Sequence, residues 1–105
     1  MKAAKSYKES LLKDLQNPEE ALGYLSAALE DPDKRVFLLA LRDVAEAHGG
    51  MTRLARLTKI SREHIYRMLS KQGNPELKTL TALIEALGFK FSLERKSSKQ
   101  LKLAA

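Results

Sequence analysis

Apolar residues recur along this chain at intervals of three and four, and polar clusters of Asn, Asp, Pro and Gly interrupt them, which predicts a succession of short helices. Tyr7, Leu11, Leu12 and Leu15 mark a weak first helix over residues 6–15. Asn17-Pro18-Glu19-Glu20 is a strong helix start: Asn caps, Pro occupies the first helical position without wasting a donor, and the acids meet the positive helix end. Ala21, Leu22, Leu25, Ala28 and Leu29 then form one stripe. Asp31-Pro32-Asp33 repeats this grammar and predicts the longest helix, ending at His48, with Val36, Phe37, Ala40, Leu41, Val44, Ala45 and Ala47 on its apolar face. Gly49-Gly50 stops it, one glycine suiting a left-handed position. Shorter helices are predicted over 52–58, 61–70 and 76–87, the last closed by Gly88. Beyond Gly88 the period becomes two. Phe89, Phe91 and Leu93 alternate with Lys90, Ser92 and Glu94, which predicts a short strand that needs a partner from elsewhere.

The segment from Met51 to Leu69 meets the fixed-offset demands of a helix-turn-helix. Ala55 is small where two helices cross, Leu54 and Thr58 face inward beside it, Ile60 plugs the turn, and Ser61 caps the second helix. Ile65, Met68 and Leu69 form that helix's buried stripe. Arg62, Glu63, Tyr66, Arg67 and Ser70 remain outside, as donor-rich side chains suited to base edges and phosphates. Arg62 and Glu63 occupy the first turn, which enters a groove first, while Arg67 and Lys71 lie where phosphate contacts are expected. Thr52 and Arg53 can clamp the backbone from the start of the first helix. Tyr66 suits either a DNA contact or the edge of the core. His64 suits a phosphate contact or simple exposure, and His48 a helix C-terminus.

Charge sharpens this picture. Of the net +6, residues 1–50 carry seven Lys/Arg against nine acids, a net −2; residues 51–74 carry six against one, a net +5; residues 75–105 carry six against three, a net +3. A basic centre beside an acidic half points to two partners, one of them polyanionic. A chain of 105 residues with 44% hydrophobic content is one domain with a modest core, so homodimerisation is expected. There is no cysteine, hence no disulfide or thiolate metal site, and two isolated histidines suggest no metal. No signal peptide or membrane-spanning run is evident, so a soluble, cytoplasmic protein is expected. No nucleophile–base pair or phosphate-cradling glycine loop is present, so neither catalysis nor a cofactor is expected.

The run Met51-Thr52, Leu54-Ala55, Ile60-Ser61-Arg62, Ile65-Tyr66 and Leu69, followed by Asn74-Pro75, Thr79-Leu80 and Ala86-Leu87-Gly88, resembles helix-turn-helix proteins of the lambda-repressor type. With Glu20-Ala21, Tyr24-Leu25, Ala28-Leu29-Glu30-Asp31 and residues 39–45 upstream, residues 15–93 resemble more narrowly the probable addiction module antidote proteins, HigA-like antitoxins. The resemblance implies an antitoxin that neutralises a small RelE/HigB-like ribonuclease toxin and represses their shared operon. Lys59 departs from the family, in which many such turns carry Gly at a left-handed position; a non-Gly residue there costs roughly 1 kcal/mol.

The sequence therefore predicts an all-α, lambda-repressor-like helix-turn-helix bundle with a short C-terminal β-strand. It divides into an arm or weak helix over 1–16, a DNA-binding domain over 17–94 and a flexible basic tail over 95–105. Thr52, Arg53, Ser61, Arg62, Glu63, His64, Tyr66, Arg67 and Lys71 are the expected contacts to double-stranded operator DNA. A basic toxin and a second copy of the chain are the expected protein partners. A stand-alone regulator without a toxin, or a protein-binding module that never touches DNA, are the alternatives.

Overall fold

Asn17 caps its helix as the sequence predicts: its side-chain oxygen accepts from the backbone N–H groups of Glu19, at 2.8 Å, and Glu20, at 3.3 Å. The computed structural model describes residues 3–98, with side chains from residue 7 onward. Within them the chain forms α1 (Ala3–Leu15), α2 (Pro18–Leu29), α3 (Arg35–Ala47), α4 (Gly50–Thr58), α5 (Arg62–Met68) and α6 (Leu77–Ala86). The architecture is all-α. None of these helices is long and apolar enough to cross a membrane.

α3 is the central helix, packed against α1, α2 and α4, while α4 carries both α5 and α6. Because it has neighbours on several sides, α3 buries a broad arc: Phe37, Leu38, Ala40, Leu41, Val44 and Ala45 are all within the core. Leu38 joins this set, and Val36, expected inside, is exposed. Leu22 and Leu29, at the edges of the α2 stripe, are exposed as well, while Ala21, Leu25 and Ala28 are buried. Leu15 brings α1 into the same core.

Polar contacts pin the first three helices together. Asp43 on α3 accepts from the Tyr24 hydroxyl of α2 at 2.6 Å and pairs with Lys8 of α1 at 3.4 Å. Burial, reinforced by the Asp43 carboxylate, pushes the Tyr24 hydroxyl pKa well above its ordinary value. His48 follows α3, and its Nε2 lies 2.7 Å from the Leu15 carbonyl. A carbonyl only accepts, so that nitrogen carries the proton and satisfies an orphan acceptor at the end of α1.

The Asp31-Pro32-Asp33 segment differs from the predicted cap. Asp31 accepts from the Asp33 N–H and Asp33 from the Arg35 N–H, so the carboxylates fold the connection into successive turns and α3 begins only at Arg35. The Arg35 guanidinium, paired with Asp33 at 2.8 Å, lowers that carboxyl to about 2.

The predicted strand over 89–93 is absent: no strand occurs among the described residues. Instead α6 closes with the Gly88 N–H donating to Glu85 O and the Phe89 N–H to Ile84 O, with Gly88 at φ +94°. This Schellman closure uses the first backbone donor after Gly88 on the helix itself. Among the described residues, the segment that follows has no neighbouring strand with which to form a ladder. Of the predicted loose tail, residues 99–105 lie outside the described residues.

Candidate nucleic-acid interface

α4 and α5 are joined by the three-residue turn Lys59-Ile60-Ser61. Lys59 is left-handed at φ 62°, ψ 25°, and its N–H donates to Ala55 O at 2.8 Å. This reverses the chain at the end of α4. Thr58 reinforces the turn: its hydroxyl donates to Leu54 O at 2.8 Å and accepts from the Ile60 N–H at 3.3 Å. Ile60 is half-buried against the core, and the Ser61 hydroxyl accepts from the His64 N–H at 3.2 Å to start α5.

α5 is anchored by Ile65, Met68 and Leu69, with Ile65 and Leu69 fully buried. At 3.6 residues per turn, this stripe leaves Glu63 and Arg67 on the opposite side, with Arg62 and Tyr66 on one flank and His64 on the other. All five are exposed. Removing the three anchors would release the helix, because at seven residues it is too short to persist alone.

The structure brings several of the expected contact residues together. Arg62 donates to the Thr52 hydroxyl at 3.3 Å, which ties the first turn of α5 to the first turn of α4. Arg67 lies 3.1 Å from His64 Nδ1; a guanidinium only donates, so Nδ1 accepts and the ring proton sits on Nε2. Arg53 donates to the His48 carbonyl at 3.2 Å, across the α3–α4 junction. Lys71 stands apart: it follows the end of α5 and lies in a surface cleft with Asp33, Arg35, Val36 and Leu39.

Arg42 was not foreseen. Its guanidinium lies 5.1 Å from the centroid of the Tyr66 ring, so α3 adds a cation beside the outer face of α5. Helical periodicity places Arg42 at the edge of α3's buried arc, but the crossing of α3 and α5 that brings Tyr66 within reach is a long-range feature. Arg56 and Lys59 are also exposed nearby in the chain.

None of the ion pairs among the described residues involves a basic side chain between residues 51 and 74. Acids are consumed on the other half of the molecule, by Lys8 and Arg35. The α4–α5 surface is therefore a set of exposed guanidinium and ammonium groups, none of them ion-paired among the described residues, around one convex helix whose single acid is Glu63, suited to a polyanion with regularly spaced charges.

A family model described as "probable addiction module antidote protein" matches residues 6–95 of the chain. An uncharacterised protein of Haemophilus influenzae is 36% identical over 81 residues, which cover 77% of this chain and 82% of that protein. No solved structure matches the chain.

Proposed function

Because the chain belongs to the probable addiction module antidote family, we propose that it is a HigA-like antitoxin that binds operator DNA through α4–turn–α5, a helix-turn-helix of the lambda-repressor type. In this reading α5 enters the major groove. Arg62 and Glu63 reach base edges, and Tyr66, Arg67 and His64 flank them. Thr52, Arg53, Ser61 and Lys71 contact the phosphates on either side. Two copies related by a two-fold axis would present their α5 helices to half-sites about 34–36 Å apart. The protein partner is a small basic RelE/HigB-like ribonuclease toxin, met by the acidic α1–α3 half; the complementary charge speeds encounter. Bound to the promoter, the antitoxin represses the operon that encodes both.

The observation that carries the reading is the outward face of α5. Glu63 and Arg67 point directly away from an apolar anchor that fixes the helix, and none of the ion pairs among the described residues engages the cations around them. A gel shift of the DNA upstream of the gene, repeated over a salt series, tests it. Retarded DNA is expected, with affinity falling steeply as salt rises. A fragment that does not shift, beside a co-purifying neighbour protein, would leave a protein-binding antidote alone. A shift with no co-purifying protein would leave a stand-alone regulator.

A further inference from the structure

After the Schellman closure of α6 the chain runs to Ser97 without turn or bend, and the backbone groups of residues 90–96 have no hydrogen-bond partner among the described residues. Phe89 is half-buried against the core, and the Phe91 ring lies 6.3 Å from that of Phe37, tilted by 40°. Leu93, the third apolar position of the alternation, is 100% exposed. A groove of about 390 Å³ lies between this segment and α2, with Leu22 and Leu29 partly exposed along it. An unpaired backbone edge, ending in a leucine wholly in water beside an apolar groove, is an open binding edge.

The segment is complementary to itself. In an antiparallel pair centred on Ser92, Ser92 faces Ser92 of the second copy, Phe91 faces Leu93, and Lys90 faces Glu94. The charged pair is then opposite in sign and Phe91 meets a leucine, while Phe89, packed on the core, falls opposite Arg95 at the end of the ribbon. Centring on Leu93 would set Lys90 against Lys96 and Phe91 against Arg95. Centring on Phe91 would leave Glu94 opposite Gly88 and the charges unpaired. A basic partner finds no such match, since Arg95 and Lys96 follow directly.

We propose that residues 90–94 form a two-stranded antiparallel ribbon with a second copy of this chain, its two-fold axis passing beside Ser92. This deepens the dimer reading above and supplies the partner the strand pattern requires. Pairing satisfies the free backbone groups and covers Leu93 with Phe91 of the second copy.

The chain has no cysteine, so engineered thiols report the register cleanly. Facing residues of an antiparallel pair have Cα atoms about 4.5–5.5 Å apart, within disulfide range. Oxidised Ser92→Cys should therefore form a covalent dimer, whereas Leu93→Cys, offset from its own copy by two residues, should not. Lys90→Glu and Glu94→Lys should each weaken self-association in sedimentation equilibrium by about tenfold. The double exchange should restore it, and the two single variants should pair with each other when mixed. All four positions are exposed, and circular dichroism checks that the helices remain. A wild type that stays monomeric at about 100 µM, a dimer indifferent to both reversals, or equal cross-linking at positions 92 and 93 would overturn the proposal. So would protection of residues 90–94 from hydrogen exchange only when a toxin is added. None of these measurements involves DNA, so failure here leaves the operator reading intact, and failure of that reading leaves this one intact.

Discussion

The guanidinium of Arg42 on α3 sits over the ring of Tyr66 on α5, 5.1 Å from its centroid. α5 otherwise hangs on α4, so this contact is a direct tie between the central helix and the flank of the helix proposed to enter DNA. Both partners are partly in water, and such a pair contributes about 0.5–1 kcal/mol. Arg42→Ala and Tyr66→Ala should each lower the urea midpoint, and the double variant should show a coupling of that size. Additive losses would mean the two groups are adjacent without interacting.

Lys59 holds a left-handed backbone at φ 62°, a conformation that costs a side-chain-bearing residue about 1 kcal/mol or more. Its N–H is bonded to Ala55 O, so the turn needs the conformation, while its ammonium makes no hydrogen bond or ion pair among the described residues. Lys59→Gly should raise stability to urea by about 0.5–1 kcal/mol, the relief being offset in part by the looser unfolded chain. If Lys59 also contacts phosphate, the same variant should flatten the salt dependence of DNA binding.

Much of this geometry is legible in the residues because it is local. Ile65, Met68 and Leu69 declare a buried stripe by spacing, and Asn17 and Ser61 declare helix starts because their side chains bond donors two or three residues on. The turn is legible for the same reason, in Ile60, Thr58 and the family likeness around Lys59. What escaped depends on distant neighbours. Leu38 is inside and Val36 outside because α3 is enclosed on several sides, which periodicity on one helix does not reveal. Asp31 reads like a cap and yet folds a turn, since an aspartate can bond the N–H two residues ahead in either setting. The alternation after Gly88 is real, but alternation without a second backbone makes no strand.

Tyr24 provides a titration of the α2–α3 contact. Its hydroxyl donates to Asp43 at 2.6 Å, and its folded pKa is raised above the ordinary 10.0. Stability from this group is thus complete below pH 10.0 and is lost as pH rises toward the folded value. At neutral pH, Tyr24→Phe should cost about 1 kcal/mol, the worth of a half-exposed bond to a charged acceptor. The gap between wild type and variant should shrink by about pH 11, measured as the difference in urea midpoints. A gap that stays constant with pH would show that the hydroxyl titrates normally in the folded protein.

Arg62 and Arg53 separate the two roles assigned to the basic face. Arg62 opens α5 and, among the described residues, is held only by the Thr52 hydroxyl at 3.3 Å, a neutral bond that a guanine edge can replace. Arg53 begins one helix earlier and reaches back toward His48 O, beside α4's own N-terminus, where a phosphate is the natural ligand. Arg62→Ala should therefore cost about 1–3 kcal/mol on the cognate operator and little on random DNA, narrowing the ratio between them. Arg53→Ala should weaken both to a similar degree and reduce the salt slope by about one. Both side chains are exposed, so neither change should unfold the protein, and thermal melts of the variants provide the control. If Arg62→Ala left the cognate-to-random ratio unchanged at fixed salt, the first turn of α5 would not be reading bases, and the docking of this helix would have to be redrawn.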